Sequence, residues 1–258
     1  MQCRMRRILQ RFYWAVKKRV APGVVSSQFA YRDALLSYLK QAPRWLDLGC
    51  GHQFIPYWAW TPDANLLSSL PRIVGVDGDR SSISQHQYLK HRALCDIHSL
   101  PFAAGSFDLV TANMVMEHAQ DPVRVLSEAY RVLSPDGVFL FHTPNLSSPL
   151  VKVAAHTPEW IKKRLIPLLE VRGEEDTYPT TYRINTAERV GRLGVDAGFH
   201  IEFCELVTTE AVTQALGPLV LFELLFIRLT QRKAFSTFRP DIIASLRKPA
   251  AAASRSPR

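Results

Sequence analysis

Short apolar runs bounded by acids, glycines or prolines recur along the chain at 45–48, 73–77, 93–97, 107–112, 138–142, 201–207 and 241–246, and each reads as a buried strand. Between them the apolar residues fall three and four apart. That spacing predicts helices over 4–19, 26–41, 160–169 and 209–231, and a polar helix is expected over about 81–91. A helix opened by Asp121-Pro122 carries Val123, Val125, Leu126, Ala129, Val132 and Leu133, and another capped by Asn185-Thr186 runs to Ala197 before Gly198 stops it. Thr61-Pro62-Asp63 has the form of a cap with proline in the first turn of a further short helix. Ser134-Pro135-Asp136-Gly137 is a turn into the fifth run. Strand and helix alternate throughout, so the expected fold class is α/β, a mostly parallel sheet with helices on both faces.

The first helix has Met5, Leu9, Phe12, Val16 and Val20 as its apolar stripe, and the second has Phe29, Leu35, Leu36 and Leu39 behind a cap at Ser26 or Ser27. Ala21-Pro22-Gly23 separates them. At 258 residues with 47% apolar composition, the chain can bury a core of its own, and one enzyme-sized unit is expected.

Charge changes this picture at the ends. The net charge is +9, and residues 1–20 hold Arg4, Arg6, Arg7, Arg11, Lys17, Lys18 and Arg19 with no acid. A basic amphipathic helix of this kind either attaches to an anionic membrane surface or packs on the domain, or lids its site, with a solvated face. The run 216–227 is too short to span a bilayer and contains Pro218 and Glu223, and the start of the chain lacks the uninterrupted core of a secretory signal. Cys3, Cys50, Cys95 and Cys204 form neither a CxxC pair nor a disulfide framework. A cytoplasmic protein, peripheral at most on the inner face of the membrane, is expected.

The chemistry concentrates after the first strand. In Asp47-Leu48-Gly49-Cys50-Gly51 an acid precedes two glycines, which bring bare backbone close to a ligand. Asp77 ends the second strand 30 positions after Asp47, a distance that fits one strand-helix-strand unit. In a nucleotide-binding sheet an acid there accepts hydrogen bonds from ribose hydroxyls.

DLGCG at 47–51, GVD at 75–77, CDIHSLPF at 95–102, FDLV at 107–110, EH at 117–118 and SPDG at 134–137, in this order over about 43–145, resemble class I S-adenosylmethionine-dependent methyltransferases. Within them the likeness is to the methyltransferase type 11 group that includes quinone-biosynthesis enzymes. The resemblance implies a Rossmann-like, seven-stranded sheet ending in an antiparallel hairpin. With the basic N-terminal helix (1–24) and an Ala/Ser/Pro-rich tail expected to be disordered (248–258) set apart, the resemblance leaves a methyltransferase domain (25–247) with a helical substrate-side insertion after the fifth strand (146–184).

It further implies S-adenosylmethionine as cofactor. Gly49, Cys50 and Gly51 would admit its methionine portion, Asp47 would orient that loop, Asp77 with Gly78 would hold the ribose, Asp96 with Ile97 would frame the adenine, and Asn113 and Met114 would close the pocket near the sulfur. Gln53, after His52, stands where a third glycine is common. His118 and His142 are the candidate bases, at strand ends, and Tyr178, Tyr182 and Arg183 the candidate acceptor contacts. Met114 takes the place of an acid that helps bind a metal in some relatives, so no metal is expected.

The expected reaction is O-methylation of a small-molecule, glycan or lipid-like acceptor, with peripheral membrane contact through 4–19 and 209–231. Two alternatives stand beside it: a nucleic-acid methyltransferase, which the charge suggests but the missing Asn/Asp-Pro-Pro-aromatic loop disfavours, and a non-catalytic cofactor-binding scaffold. A nicotinamide oxidoreductase is disfavoured because its only Tyr-x-x-x-Lys, Tyr13 to Lys17, precedes the sheet.

Overall fold

The computed structural model describes residues 2–60, 72–86, 88–158, 160–161 and 179–250, the side chains of 2–7 and Ala215 excepted. Its strands are β1 (Arg44–Leu48), β2 (Arg72–Asp77), β3 (His91–Leu94), β4 (Phe107–Asn113), β5 (Leu133–Pro144), β6 (His200–Val207) and β7 (Asp241–Arg247). They form one seven-stranded sheet in the order β3-β2-β1-β4-β5-β7-β6. β1 to β5 are parallel, with Asp47 opposite Gly75 on one side and Thr111 on the other. β7 runs against β5, because Asp136 and Gly137 meet Lys248 at one end while Asn145 meets Pro240 at the other.

The described helices are α1 (Gln2–Val20), α2 (Ser27–Leu39), α3 (Arg80–Ser84), α4 (Pro122–Val132), α5 (Pro149–His156), α6 (Ala187–Asp196) and α7 (Val220–Gln231). In α4 the Asp121 carboxylate caps the Arg124 N–H, Pro122 occupies the first turn, and Val125, Leu126, Ala129 and Val132 are buried. Thr186 caps α6 in the same manner through the Arg189 N–H. Leu109, Val110 and Ala112 of β4 are all buried, as a strand covered on both faces requires.

Two compact units emerge. One comprises Gln28–Thr143, Thr181–Glu205 and Ile242–Arg258 and holds the sheet; the other comprises Met1–Ser27, Pro144–Thr180 and Leu206–Asp241. In the second, Tyr13, Val16 and Val20 of α1 share a core with Ala211 and with Val220, Leu224 and Ile227 of α7. The stripe of α1 is therefore turned from the expected one: Tyr13 and Lys17 face inward, Lys17 paired with Glu210 at 2.5 Å, while Ile8, Phe12 and Trp14 are exposed. No described helix is long and apolar enough to cross a membrane.

Several boundaries differ from expectation. The polar helix is α3 alone, because its Asp79 cap starts it early and His86 Nδ1 then accepts the N–H groups of Tyr88 and Leu89, bending the chain toward β3. β3 ends at Leu94 rather than Ile97, since Asp96 Oδ1 takes the His98 N–H and its carbonyl takes the Ser99 N–H, a turn that leaves the sheet. The SPDG turn is an excursion inside β5, with register jumping from Phe107 opposite Leu133 to Leu109 opposite Val138. The long apolar segment is a 3-10 stretch (Val212–Leu219) and α7, broken at Gly217 (φ 61°) and Pro218. In α2 the buried positions are Ser27, Gln28, Tyr31, Leu35 and Leu39, with Phe29 and Leu36 only half-buried. The helix expected over 160–169 lies beyond Ile161 outside the described residues, as do the turn at 61–63 and the tail from 251. Lys248 is held, its Nζ donating to the carbonyls of Tyr130 and Leu133.

Candidate active site

β1 delivers the chain into the glycine turn at the carboxyl edge of the sheet. Gly49 and Gly51 have φ of 60° and 51°, a region that side chains with a Cβ disfavour. A Cβ at Gly49 would also lie 2.5 Å from Val115 Cγ2, whereas one at Gly51 would meet open space. Gly49 is thus required twice over, and Gly51 for its conformation alone. Between them the Cys50 N–H donates to the Val76 carbonyl at 3.0 Å.

Asp77 ties this turn to β2. Its Oδ2 accepts the Gly51 N–H at 2.8 Å and its Oδ1 accepts the Asp79 N–H at 2.8 Å. A carboxylate has room for about four hydrogen bonds, so each oxygen keeps acceptor capacity for a ligand. Gly78 beside it is exposed and meets nothing where a Cβ would stand.

Asp47 sits one strand inward and is buried. It accepts a 2.5 Å hydrogen bond from Thr111 Oγ1, which in turn accepts the Trp45 indole N–H at 2.7 Å. Burial pushes its carboxyl up to about 7, against the Thr111 hydrogen bond and helped by the charge of Asp77. Burial, with Asp47 nearby, also raises the Tyr31 hydroxyl well above its ordinary range. None of the described ion pairs gives Asp47 a cation.

From about pH 4 to pH 7 the folded chain therefore keeps a proton on Asp47 that the unfolded chain has lost, so the contribution of this group to stability falls as pH rises through that window. Asp47→Asn is expected to remove that part of the slope, read from melting temperatures across pH 4–8.

At the end of β4, Asn113 is fully engaged. Its Nδ2 donates to Gln28 Oε1 (2.9 Å) and the Phe54 carbonyl (3.1 Å), and its Oδ1 lies 2.9 Å from His142 Nδ1. Met114, at φ 58°, donates its N–H to the His142 carbonyl. His142 does not follow a strand end, as the sequence suggested. β5 continues to Pro144, and the imidazole is buried and stacked on Tyr31 at 5.6 Å.

His118 is half-buried in the loop beyond β4, its Nε2 3.9 Å from Glu117 Oε1. Glu117 is buried, its Oε2 accepting from Thr143 Oγ1 at 2.8 Å, and Asn185 Nδ2 donates to the same hydroxyl oxygen. The Glu117 carbonyl accepts the N–H groups of Thr181 (2.7 Å) and Tyr182 (3.1 Å). This pins the 181–184 segment against the β4 loop and brings Tyr182, at φ 51°, to that loop. Arg183 is exposed, with its carbonyl on Arg189, and Tyr178 lies outside the described residues.

Asp96 follows β3, where the Cys95 N–H donates to the Asp77 carbonyl at 3.1 Å. It therefore stands next to Asp77 at the same edge, with Ile97 half-buried beside it. Burial pushes the thiols of Cys50 and Cys95 up, which leaves both as protonated, unreactive groups at neutral pH. His52 and Gln53 are half-buried after the glycine turn. Among the described residues no cluster of His, Cys, Asp and Glu could hold a metal ion.

Gln28, Tyr31, Thr111 and Thr143 have no site role in the sequence reading, and Asn185 stands there only as a helix cap. Only a polar residue inside an apolar strand, Thr111, left a signal there. The others reach the site through tertiary packing.

Residues 46–141 match the family model described as a methyltransferase domain. A probable S-adenosylmethionine-dependent methyltransferase of Mycolicibacterium smegmatis is 30% identical over 198 residues, 69% of this chain and 72% of that protein. A malonyl-[acyl-carrier protein] O-methyltransferase of Legionella pneumophila is 36% identical over 115 residues, 42% of this chain and 39% of its own length. The matches span from about half to nearly three quarters of the length of the first curated relatives, 54%, 72% and 45%. The crystal structure of an S-adenosylmethionine-dependent methyltransferase from Mesorhizobium loti shares the fold, with a TM-score of 0.52 and 19% identity over 85% of this chain and 96% of that one. By the glycine turn, its acids and these likenesses together, the chain belongs to the S-adenosylmethionine-dependent methyltransferases.

Proposed function

We propose that this chain methylates an oxygen of a small-molecule, glycan or lipid-like acceptor, using S-adenosylmethionine bound along the carboxyl edge of β1, β2 and β3. The observation that carries this reading is Asp47: a buried carboxylate with no cation among the described ion pairs, two residues before a turn whose glycines leave backbone bare. An amino-acid ammonium is the complement such a group lacks.

Gly49, Cys50 and Gly51 would line the methionine end, Asp77 and Gly78 the ribose, Asp96 and Ile97 the adenine, and Asn113 and Met114 the region of the sulfur. The bound sulfonium supplies an already activated methyl group. The protein's own task is then to hold the acceptor in line and exclude water, an effect of up to about 7–11 kcal/mol.

His118 is the base of this reading, because it is half-buried and has a carboxylate beside it, whereas the buried His142 orients Asn113. Tyr182 and Arg183, with Tyr178, would face the acceptor. The O-methyltransferase name of the Legionella relative supports oxygen as the acceptor atom.

A lipid-like acceptor is favoured by the helical unit. Leu221, Phe222 and Leu225 on α7 and Ile8, Phe12 and Trp14 on α1 are exposed, and Arg11, Lys18 and Arg19 share the solvent face of α1. Exposed apolar side chains flanked by cations suit an anionic bilayer surface. With labelled S-adenosylmethionine and cell extract, label is expected in small-molecule or lipid fractions, and vesicles containing anionic lipid should raise the rate. Label in nucleic acid instead would favour the alternative substrate class, and cofactor binding without any transfer would favour a scaffold.

A further inference from the structure

His98 lies just past the edge of the sheet and makes contacts that no assigned role uses. The Asp121 N–H donates to its Nε2 at 3.3 Å, so the ring hydrogen resides on Nδ1, which meets Asp96 Oδ1 at 2.6 Å. The backbone N–H of His98 reaches the same Oδ1 at 2.9 Å. The residue is anchored on its other side too, because Arg124 Nε donates to the His98 carbonyl at 2.8 Å. Both Asp121 and Arg124 belong to the capped start of α4, so the imidazole is braced by a helix end.

The consequence falls on Asp96. Its side chain is about two-thirds exposed (68%), and an exposed carboxylate ordinarily samples several rotamers. Here two donors converge on one oxygen and leave Oδ2 without a hydrogen bond among the described residues. A carboxylate oxygen held in one direction is an acceptor for a planar N–H donor. The adenine exocyclic amine is such a donor, and a hypoxanthine ring offers a carbonyl at the same position.

We propose that His98 is a positioning residue that fixes Asp96 so that Oδ2 accepts from the exocyclic amine of the cofactor's adenine, making the site selective for adenosine over inosine derivatives. This rests on the cofactor reading above. It assigns His98 no contact with the ligand.

Calorimetric titration with S-adenosylhomocysteine and S-inosylhomocysteine tests it. The wild-type chain should prefer the amine-bearing ligand by about tenfold or more, the usual size of a hydrogen bond to a charged group. His98→Ala should lower that preference severalfold, chiefly by weakening the adenosine ligand, the backbone N–H at position 98 keeping part of the hold on Asp96. His98→Phe, which keeps the ring's bulk and loses both nitrogens, should do the same.

A merely structural role would weaken both ligands equally and leave their ratio intact, and that result in both variants overturns the inference. Equal binding of the two ligands by the wild-type chain overturns it as well. A wild-type chain that binds neither overturns the cofactor reading itself, a different failure.

Discussion

Asp77→Ala is expected to weaken S-adenosylmethionine binding by about a hundredfold, close to 3 kcal/mol, while the chain stays folded. The carboxylate serves two groups at once. Its oxygens hold the Gly51 and Asp79 N–H groups at 2.8 Å, and their remaining acceptor capacity is what the proposed ribose hydroxyls would use. Removing it costs the ligand its charge-assisted hydrogen bonds and frees the second glycine of the turn. Asp77→Asn should rescue little, because the amide nitrogen would confront one of those N–H donors with another donor. Isothermal titration gives the affinity and a thermal melt the folding control. An unchanged dissociation constant in the alanine variant would remove Asp77 from the cofactor site.

Gly75→Val should damage both stability and binding, although Gly75 touches no ligand in the proposed site. A Cβ at this position of β2 would lie 2.1 Å from Leu89 Cδ1, 2.8 Å from Cys50 Sγ and 3.1 Å from Cys50 Cβ. The Leu89 backbone is held, because His86 Nδ1 accepts its N–H, and burial, joined by the charge of Arg92, lowers that imidazole to about 4 and keeps it a neutral acceptor at pH 7; its buried side chain can turn aside only by repacking, and the contact with Cys50 stays in either case. The added side chain must therefore press on Cys50, the middle of the glycine turn. Overpacking of this kind costs about 1–3 kcal/mol, or several degrees of melting temperature in a chain this size. Pairing Gly75→Ala with Leu89→Ala should recover part of the melting temperature lost by Gly75→Ala alone, the contact with Cys50 being what remains. A Gly75→Val chain that melts and binds like the wild type would show that the turn yields at no cost.

The two variants mark the boundary between what a motif reveals and what it hides. Asp77 was legible because it ends an apolar run at a telling distance from Asp47. The reach of Gly75 was not, since its neighbours Cys50 and Leu89 lie 25 positions before and 14 after it in sequence. In the same way Thr111 became a partner of Asp47 only once β4 lay beside β1, and Gln28 became a partner of Asn113 only once α2 reached the end of β4. The histidines divide similarly: the EH pair kept His118 at a strand-end loop, while the extension of β5 to Pro144 buried His142 inside the sheet.

Local spacing thus determined the class of fold, the order of its strands along the chain, the glycine turn and the acids in β1, at the end of β2 and after β3, though it gave no sign of the helix Pro149–His156. Those features depend on period, capping and backbone freedom, which act over a few residues and are written in the residues themselves. The tertiary structure decided the neighbour order β3-β2-β1-β4-β5-β7-β6, the burial that lifts Asp47 to about 7, the rotation of α1 that turns Tyr13 inward and Phe12 outward, and the brace of His98 on Asp96. Each of these depends on which distant segments share a core and on how much water their packing excludes, and a linear pattern carries neither quantity.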